Sequence, residues 1–244
     1  MSYDYKYGKK RILDALRNED EVKKVERLPL ENDIKYANGV ETWATAVYVQ
    51  IKNWDKLTEN ENKKTIAKYA KIFPMELVKI FEEPDEFIRE VRVDKDYVYA
   101  IYDTPSKESI YEVLYRTFYI NTFNKMITKL LAEKNLEPIE IGIGISTNPE
   151  FMVKIANAKH VYNNKIWLGT VLENAKALAE IAYSKIGSLI AISEATYTNV
   201  IDLLEKQSKD AKKWFDEHTH PSGSKYYGAT IAMNAFEKWI DDGM

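Results

Sequence analysis

The sequence predicts an α+β fold of the ferredoxin-like, split βαβ type, because strand and helix patterns follow one another in a fixed order. Apolar and polar residues alternate at 43–51, and apolar residues at helical spacing follow at 58–82. Two short alternating runs come next within 86–103, followed by a second long helix and an isoleucine-rich strand at 138–146. The order strand, helix, hairpin, helix, strand is the split βαβ plan.

The chain opens with a short amphipathic segment. Ile12, Leu13 and Leu16 would share one side of a helix at 6–17. The polar residues 18–41 predict an irregular lead-in to the first strand.

The two long helices have different signals at their ends and centres. Helix 58–82 is predicted to begin at a capping box, since Thr58 precedes Glu61 by three residues. Pro74 should kink or split this helix, because proline lacks the N–H that a helix interior needs. The second helix covers 107–134 with a long apolar stripe.

The hairpin and the isoleucine-rich strand carry position-specific signals. The polar residues DKD place the turn of hairpin 86–103 near Lys95. In strand 138–146 the isoleucines occupy one face, and Gly142 and Gly144 occupy the other. We expect a helix or a backbone segment to approach the sheet closely at these glycines.

The rest of the chain continues the alternation of strands and helices. The further predicted elements are a turn at 148–150, an apolar segment at 151–156, a helix at 171–183, a strand at 188–193, a helix at 194–213, and a strand or helix at 226–240. The predicted organisation is an N-terminal helix and lead-in at 1–42, a main domain at 43–213, and a C-terminal extension at 214–244.

Composition excludes several classes of function. The 244 residues are 45% hydrophobic and 30% charged, which is ordinary for a globular protein, and the net charge of −3 predicts neither a nucleic-acid partner nor an anionic membrane. No apolar run approaches the ~18 residues of a membrane span, and the N-terminus lacks a signal-peptide core, so we expect a cytoplasmic protein. The absence of cysteine rules out disulfides, thiolate zinc sites and cysteine nucleophiles.

Five sequence blocks between about 43 and 205 follow one another in an order that is characteristic of a known family. They are AVYVQIKNWDKL, VRVDKDYVYAIYD, IEIGIGIS, IWLGTVLENAKALAE and SLIAISEATYTNV. Together they resemble the class III nucleotide cyclase homology domain, a palm-type domain, and most closely the compact pyrimidine cyclases of Pycsar antiphage systems. Those cyclases also carry an N-terminal lead-in, a C-terminal extension, and a Trp-hydrophobic-Gly block, which here is Trp167, Leu168 and Gly169.

The resemblance implies a specific reaction and a specific metal site. In such cyclases the 3′-hydroxyl of a nucleoside triphosphate attacks its own α-phosphate and expels pyrophosphate, with two Mg²⁺ or Mn²⁺ ions. One carboxylate on the first strand and one at the hairpin hold these ions. The hairpin position corresponds to Asp96, which is present, whereas the first-strand position corresponds to Gln50. Ile51 and Trp54 belong to the same nucleotide-binding block.

Gln50 is the sharpest departure from the family pattern. A glutamine offers a hard dication one neutral carbonyl oxygen and cannot supply the missing charge. Asp94, two residues before Asp96, is a candidate metal ligand that would compensate, and Asp55 is another. Lys95 also replaces the glycine that precedes the hairpin aspartate in the family.

The helix after Gly169 departs from the family as well. The family carries an asparagine there and, four residues later, an arginine or lysine, which orient the ribose and stabilise the phosphates. Alignment on Gly169 puts Glu173 and Ala177 at these positions. Asn174 and Lys176 lie beside them and are the candidates for the catalytic roles, although a 100° rotation per residue separates them from the expected face.

Several of these residues also have an ordinary structural explanation. Asp96 suits a turn, and Glu173 suits the N-terminal end of a helix. Trp167 is better explained by packing or a dimer interface than by stacking on a base. His218 and His220 lack a further ligand in the sequence around them, so a solvated loop is preferred to a metal site there.

Three functions remain open at this stage, and whether the chain is an enzyme is undecided among them. The preferred one is a catalytically degenerate cyclase that binds a nucleotide or a partner in antiphage-type signalling. The second is an active cyclase that converts a nucleoside triphosphate, such as UTP or CTP, to its 3′,5′-cyclic monophosphate with Mn²⁺ or Mg²⁺. The third is a partner subunit, since class III sites form between two chains. A homodimer or a heterodimer with a related cyclase is therefore expected.

Overall fold

The structure is a computed structural model that describes residues 3–17, 22–28, 39–59, 61–83, 86–154, 165–182, 186–220 and 222–244. The helices are α1 Tyr5–Arg17, α2 Trp54–Thr58, α3 Lys63–Glu82, α4 Lys107–Glu133, α5 Val171–Ile181, α6 Glu194–Gln207 and α7 Asn234–Asp241. The strands are β1 Val22–Lys24, β2 Gly39–Ile51, β3 Ile88–Val93, β4 Tyr97–Asp103, β5 Ile141–Lys154, β6 Lys165–Trp167, β7 Ile190–Ser193, β8 Phe215–Thr219 and β9 Lys225–Ala229.

The chain divides into two compact units, of which the larger contains Trp43–Pro149 and Thr170–Met244. Its strands lie in the order β3-β4-β2-β5-β7-β9-β8. The first four of these strands, with α3 and α4, form the predicted split βαβ arrangement, so the predicted fold class is confirmed. β5 and β7 are parallel, and β9 then pairs antiparallel with β7 and with β8.

The smaller unit contains Met1–Thr42 and Glu150–Gly169. Within it, β1 pairs in parallel with residues 39–41 of β2, and β6 pairs antiparallel with residues 152–154 of β5. The lead-in therefore contains a strand that the sequence did not predict, while residues 18–21 and 29–38 lie outside the described part. A small apolar cluster forms the core of this unit: Val25, Leu28, Val40, Met152 and Trp167.

One face of the central sheet forms the main core of the larger unit. Side chains alternate between the two faces of a strand, so every second residue of β2 enters this core. The core members from β2, α3 and α4 include Val47, Val49, Ile51, Phe73, Leu77, Val113 and Leu114, all nearly inaccessible to solvent. Tyr48 and Gln50 consequently lie on the opposite face.

Helix α5 packs on that opposite face, directly against the glycines of β5. A Cβ at Gly142 would collide with the carbonyl oxygen of Ala179, and a Cβ at Gly144 would collide with the carbonyl oxygen of Ala175. These are backbone atoms of α5, so the close approach predicted from the glycine pattern is confirmed.

The long helix predicted at 58–82 corresponds to α3, which differs from the prediction at its start. The N-cap of α3 is Asn62, whose side chain accepts hydrogen bonds from the backbone N–H groups of Lys64 and Thr65, so the capping box at Thr58 is wrong. Thr58 instead ends α2. Pro74 does not split α3, because the helix runs without a break from Lys63 to Glu82; the alternative, a kink at Pro74, stays a prediction.

Three predicted boundaries in the second half of the chain also need correction. The predicted turn at 148–150 is wrong, because β5 runs without interruption to Lys154. Helix α6 ends at Gln207, where a separate 3-10 turn follows at Ala211–Trp214, and α5 ends at Ile181. Residues 155, 156 and 183 lie outside the described part of the chain.

The C-terminal extension packs on the larger unit and extends its sheet. The β8–β9 hairpin includes His218 and continues the sheet beyond β7, and α7 follows it. The side chain of Asn121 on α4 donates to the carbonyl oxygen of Ile231 at 2.8 Å, and Lys129 Nζ donates to the carbonyl oxygen of Ile240 at 2.6 Å. Among the described residues, no helix has the length and apolar character that a membrane crossing requires.

Candidate functional site

The second face of β2 and β4 carries a row of stacked tyrosines beside Gln50. Tyr48 pairs with Tyr99 across the two strands, and Gln50 pairs with Tyr97. The rings of Tyr48 and Tyr97 stack at a centroid distance of 5.0 Å, and those of Tyr48 and Tyr99 at 6.3 Å. We call Tyr48, Tyr97 and Tyr99 the tyrosine row.

All three hydroxyls of the tyrosine row stay protonated at neutral pH. Burial raises the pKa of Tyr48 above its ordinary value, and the charges of Tyr97, Asp96, Glu180 and Asp94 raise it further. Burial and a 2.7 Å hydrogen bond to Glu90 raise the pKa of Tyr99. The row is therefore neutral, with the hydroxyls of Tyr97 and Tyr99 donating to Asp94 and Glu90. Three carboxylates lie close enough to Tyr48 to raise its pKa.

The side-chain amide of Gln50 lies on this face without a partner. Its Oε1 atom is buried and accepts no hydrogen bond within the described residues. An unsatisfied buried acceptor costs about 1–3 kcal/mol, so the position favours a bound donor or cation.

In the hairpin between β3 and β4, Asp94 is held by its side chain and Asp96 by its backbone carbonyl group. Asp94 Oδ1 accepts from the backbone N–H of Lys95 at 2.7 Å, and Asp94 Oδ2 accepts from the hydroxyl of Tyr97 at 3.2 Å. These two bonds lower the pKa of Asp94. The backbone carbonyl of Asp96 accepts from the N–H of Ile51 at 2.8 Å, which fixes the hairpin turn at the end of β2.

The residues present do not fit a site for two metal ions. Asp96 supplies one carboxylate and Gln50 supplies a neutral amide, and the two hydrogen bonds of Asp94 orient its carboxylate toward Lys95 and Tyr97 within the turn. In the described part of the chain, no group of three or more histidine, aspartate or glutamate side chains is arranged to hold a metal ion. A hard dication prefers several charged oxygen ligands, which this arrangement lacks.

The C-terminal end of α5 lies at the end of β2. Lys52 Nζ donates to the carbonyl oxygen of Glu180 at 2.7 Å and to that of Ala179 at 3.4 Å. Lys176 lies one turn earlier on α5, exposed, with its Nζ 4.0 Å from Glu180 Oε1. Lys52 and Lys176 are thus two lysines that contact the C-terminal end of α5, beside Glu180.

The N-terminal end of α5 carries the other predicted catalytic residues. Asn174 Nδ2 donates to Thr170 Oγ1 at 3.3 Å, and Asn148 Nδ2 donates to the same oxygen at 3.1 Å. Glu173 is exposed in the first turn. Seven residues separate Glu173 from Glu180, or roughly 10 Å at 1.5 Å per residue. Glu173 and Asn174 are therefore displaced along α5 from the end that meets Lys52.

Most of the remaining predicted site residues take part in packing. Ile51 is buried in the main core, and Trp54 packs against the same core from the start of α2. Trp167 packs within the core of the smaller unit, as its structural explanation anticipated. Asp55 is exposed in the first turn of α2. Roles for these residues in nucleotide binding stay predictions.

Sequence reasoning missed four members of this site: Lys52 and the three residues of the tyrosine row. Alternation along β2 places Tyr48 on the same face as Gln50, and alternation along β4 places Tyr97 and Tyr99 on one face. The tyrosine row could therefore have been predicted from the sequence. The role of Lys52 could not have been predicted in this way, because its hydrogen-bond partner Glu180 is 128 residues away in the chain.

Comparison with known proteins places this geometry in a family. The chain is 35% identical over 244 residues to a uridylate cyclase of Treponema porcinum, covering 100% of this chain and 83% of that one. No protein-family model matches the chain.

Solved structures share the fold at low sequence identity. The adenylyl cyclase CyaB from P. aeruginosa superposes with a TM-score of 0.63 at 15% identity, over 80% of this chain and 97% of that one. A dimeric guanylyl cyclase domain of the RhoGC fusion protein from Blastocladiella emersonii gives a TM-score of 0.57 at 16% identity, over 78% of this chain and 97% of that one. The full-length relative and the shared fold agree, and the chain belongs to the class III nucleotide cyclase family, in which it is similar to a pyrimidine cyclase.

Proposed function

We propose that the protein is a catalytically degenerate nucleotide cyclase that binds a nucleoside triphosphate at the tyrosine row and does not cyclise it. The observation that carries this proposal is the neutral Gln50, with its Oε1 buried and without a partner among the described residues, where the family has a metal-binding carboxylate. By relation to the uridylate cyclase, a pyrimidine triphosphate is the preferred ligand. Such a protein would sense a nucleotide in the antiphage-type signalling that the resemblance implies.

Local charge supports binding without turnover. Mg²⁺ is commonly bound by one or two protein carboxylates together with substrate phosphates. Asp96 alone meets that minimum for a nucleotide that arrives with its own cation. The chemistry of this family requires two ions, one to activate the attacking oxygen and one to stabilise the phosphates. Gln50 supplies no charge for the second ion, so binding is retained while the chemical step is lost.

The layout of α5 supports a site that is shared between two chains. Glu173 and Asn174 lie roughly 10 Å along the helix from the end that meets Lys52. We propose that they act on the nucleotide held by a neighbouring chain, either a second copy or a related cyclase with an intact metal site. The dimeric guanylyl cyclase domain among the structural relatives is consistent with such an arrangement.

A thermal-shift panel tests nucleotide binding. We expect at least one of the four ribonucleoside triphosphates with Mg²⁺ or Mn²⁺, at about 100 times its Kd, to stabilise the folded state by about 2.7 kcal/mol. For a chain of this size that corresponds to a Tm rise of roughly 5–10 °C. Metal without nucleotide is the control. No Tm rise with any of the four triphosphates would exclude the proposal.

An active cyclase is the second candidate, favoured by full-length similarity to a uridylate cyclase and by the retained Asp96. If the chain forms a cyclic nucleotide, Asp96→Ala should reduce the rate at least 100-fold, because it removes the family's remaining metal carboxylate. Loss of one group that stabilises developing charge in the transition state typically costs about 10²–10³ in rate. Asp94→Ala is the matched control, since both oxygens of Asp94 are used within the turn, and it should retain most activity. Retained activity in Asp96→Ala would remove Asp96 from the catalytic role, and an equal loss in Asp94→Ala would show that Asp94 is not an inert control.

A further inference from the structure

Lys52 joins the strand of Gln50 to the helix that carries Lys176. It follows Gln50 by two residues, and its half-buried side chain reaches the carbonyl oxygens of Ala179 and Glu180 at 3.4 and 2.7 Å. Its own backbone N–H donates to the carbonyl oxygen of Glu140 at 2.7 Å, which anchors it beside β5. The ammonium group therefore sits between two elements of the candidate site.

The carbonyl groups that Lys52 contacts belong to the last turn of α5. The last four carbonyl groups of a helix have no N–H partner within the helix. A cation at this end also interacts favourably with the helix dipole. Lys52 consequently acts as a side-chain cap of α5 that is supplied by a different element.

Helix α5 has an unusual need for such an anchor. It rests on Gly142 and Gly144, which offer no side chains that would interlock with the helix and fix it along its axis. Its remaining apolar contacts in this region come from a small cluster that includes Leu178, Ala182 and Ala191. A fixed polar contact at the C-terminal end therefore sets the axial position and rotation of α5.

We infer that Lys52 is a positioning residue for nucleotide binding: by capping α5, it holds Lys176 in register with the end of β2. This inference rests on the proposed function, because it assigns Lys52 a role at the same nucleotide site. Lys52 need not touch the nucleotide for this role. Its removal would leave α5 folded but displaced.

The chain provides a matched control for this role in Lys129. Lys129 is also half-buried, and its Nζ donates to the carbonyl oxygen of Ile240 at 2.6 Å, in the last turn of α7. This is the same kind of contact, a lysine that caps a helix from another element. It joins α4 to α7 and involves none of the candidate site residues.

The test compares Lys52→Met, Lys52→Arg and Lys129→Met in the full chain. The readouts are the Tm without ligand and the Kd for UTP with Mg²⁺, or for whichever triphosphate stabilises the wild type most. Both methionine variants should lower the Tm by similar small amounts. Lys52→Met should weaken nucleotide binding about tenfold, Lys52→Arg should restore it to within about threefold of the wild type, and Lys129→Met should leave it unchanged.

The outcomes separate this inference from the function on which it rests. If the wild type binds nucleotide and Lys52→Met binds equally well, Lys52 is a structural cap only, while the proposed function stands. The same holds if Lys129→Met weakens binding as much as Lys52→Met, because the effect would then be a general loss of stability. If the wild type binds no triphosphate, the proposed function is wrong, and the role inferred for Lys52 is wrong as well.

Discussion

Replacing Gly144 by alanine is expected to displace α5 and abolish nucleotide binding. The added Cβ would lie 2.5 Å from the backbone nitrogen of Ala179 and closer still to the carbonyl oxygen of Ala175. Backbone atoms of a helix cannot move aside individually, so the whole helix must shift. Overpacking of this kind typically costs about 1–3 kcal/mol of stability. Chemical denaturation and the nucleotide thermal shift measure the two effects.

Gly223→Ala is the matched control for that experiment. Gly223 has a φ of +89° in the turn between β8 and β9, and an added Cβ would meet nothing within 4 Å. Alanine there is strained by about 1–2 kcal/mol without any collision. The control should therefore lose similar stability but keep nucleotide binding. Unchanged binding in Gly144→Ala would show that the position of α5 does not matter for the ligand.

Replacing Gln50 by aspartate is expected to create a strong dependence on Mn²⁺. The new carboxylate would stand on the face of Tyr48, near Asp96, Glu180 and Asp94. Without metal, these like charges repel one another, so the Tm should fall below that of the wild type. With Mn²⁺, two charged ligands replace one, and nucleotide binding should tighten at least tenfold. Titration calorimetry with and without Mn²⁺ measures the change.

Gln50→Asn separates charge from shape in this experiment. Asparagine has the size of aspartate but keeps a neutral amide, so it should show neither the lower Tm without metal nor the tighter binding with Mn²⁺. An identical response of the two variants would mean that position 50 does not face the bound cation. Formation of cyclic nucleotide by Gln50→Asp but not by the wild type would identify Gln50 as the cause of lost turnover.

The central fold could be predicted because its signals are local. Alternation in β2 and in the hairpin fixed the strands and their faces, and Gly142 and Gly144 predicted a close approach that the backbone of α5 makes. The polar residues 148–150 misled the prediction of a turn. Proline lacks a backbone donor and often ends a strand, but here β5 continues through Pro149 to Lys154.

The candidate site could be predicted only in part. The family pattern pointed to Gln50 and Asp96, and the structure places both at the same end of the β2–β4 pair. The family pattern could not reveal that Asp94 accepts hydrogen bonds from the backbone of Lys95 and the hydroxyl of Tyr97, since these bonds depend on the geometry of the turn. The cap that Lys52 provides joins residues 128 positions apart, and no local pattern encodes such a contact.

Product analysis of the wild-type chain is the most direct measurement. The purified protein would be incubated with each of the four ribonucleoside triphosphates and Mn²⁺ or Mg²⁺, and the products would be separated by chromatography. We expect every triphosphate to remain intact, while at least one of them raises the Tm of the same preparation. A cyclic nucleotide and pyrophosphate, formed by the wild type and lost in Asp96→Ala, would contradict a degenerate site and establish an active cyclase that tolerates Gln50.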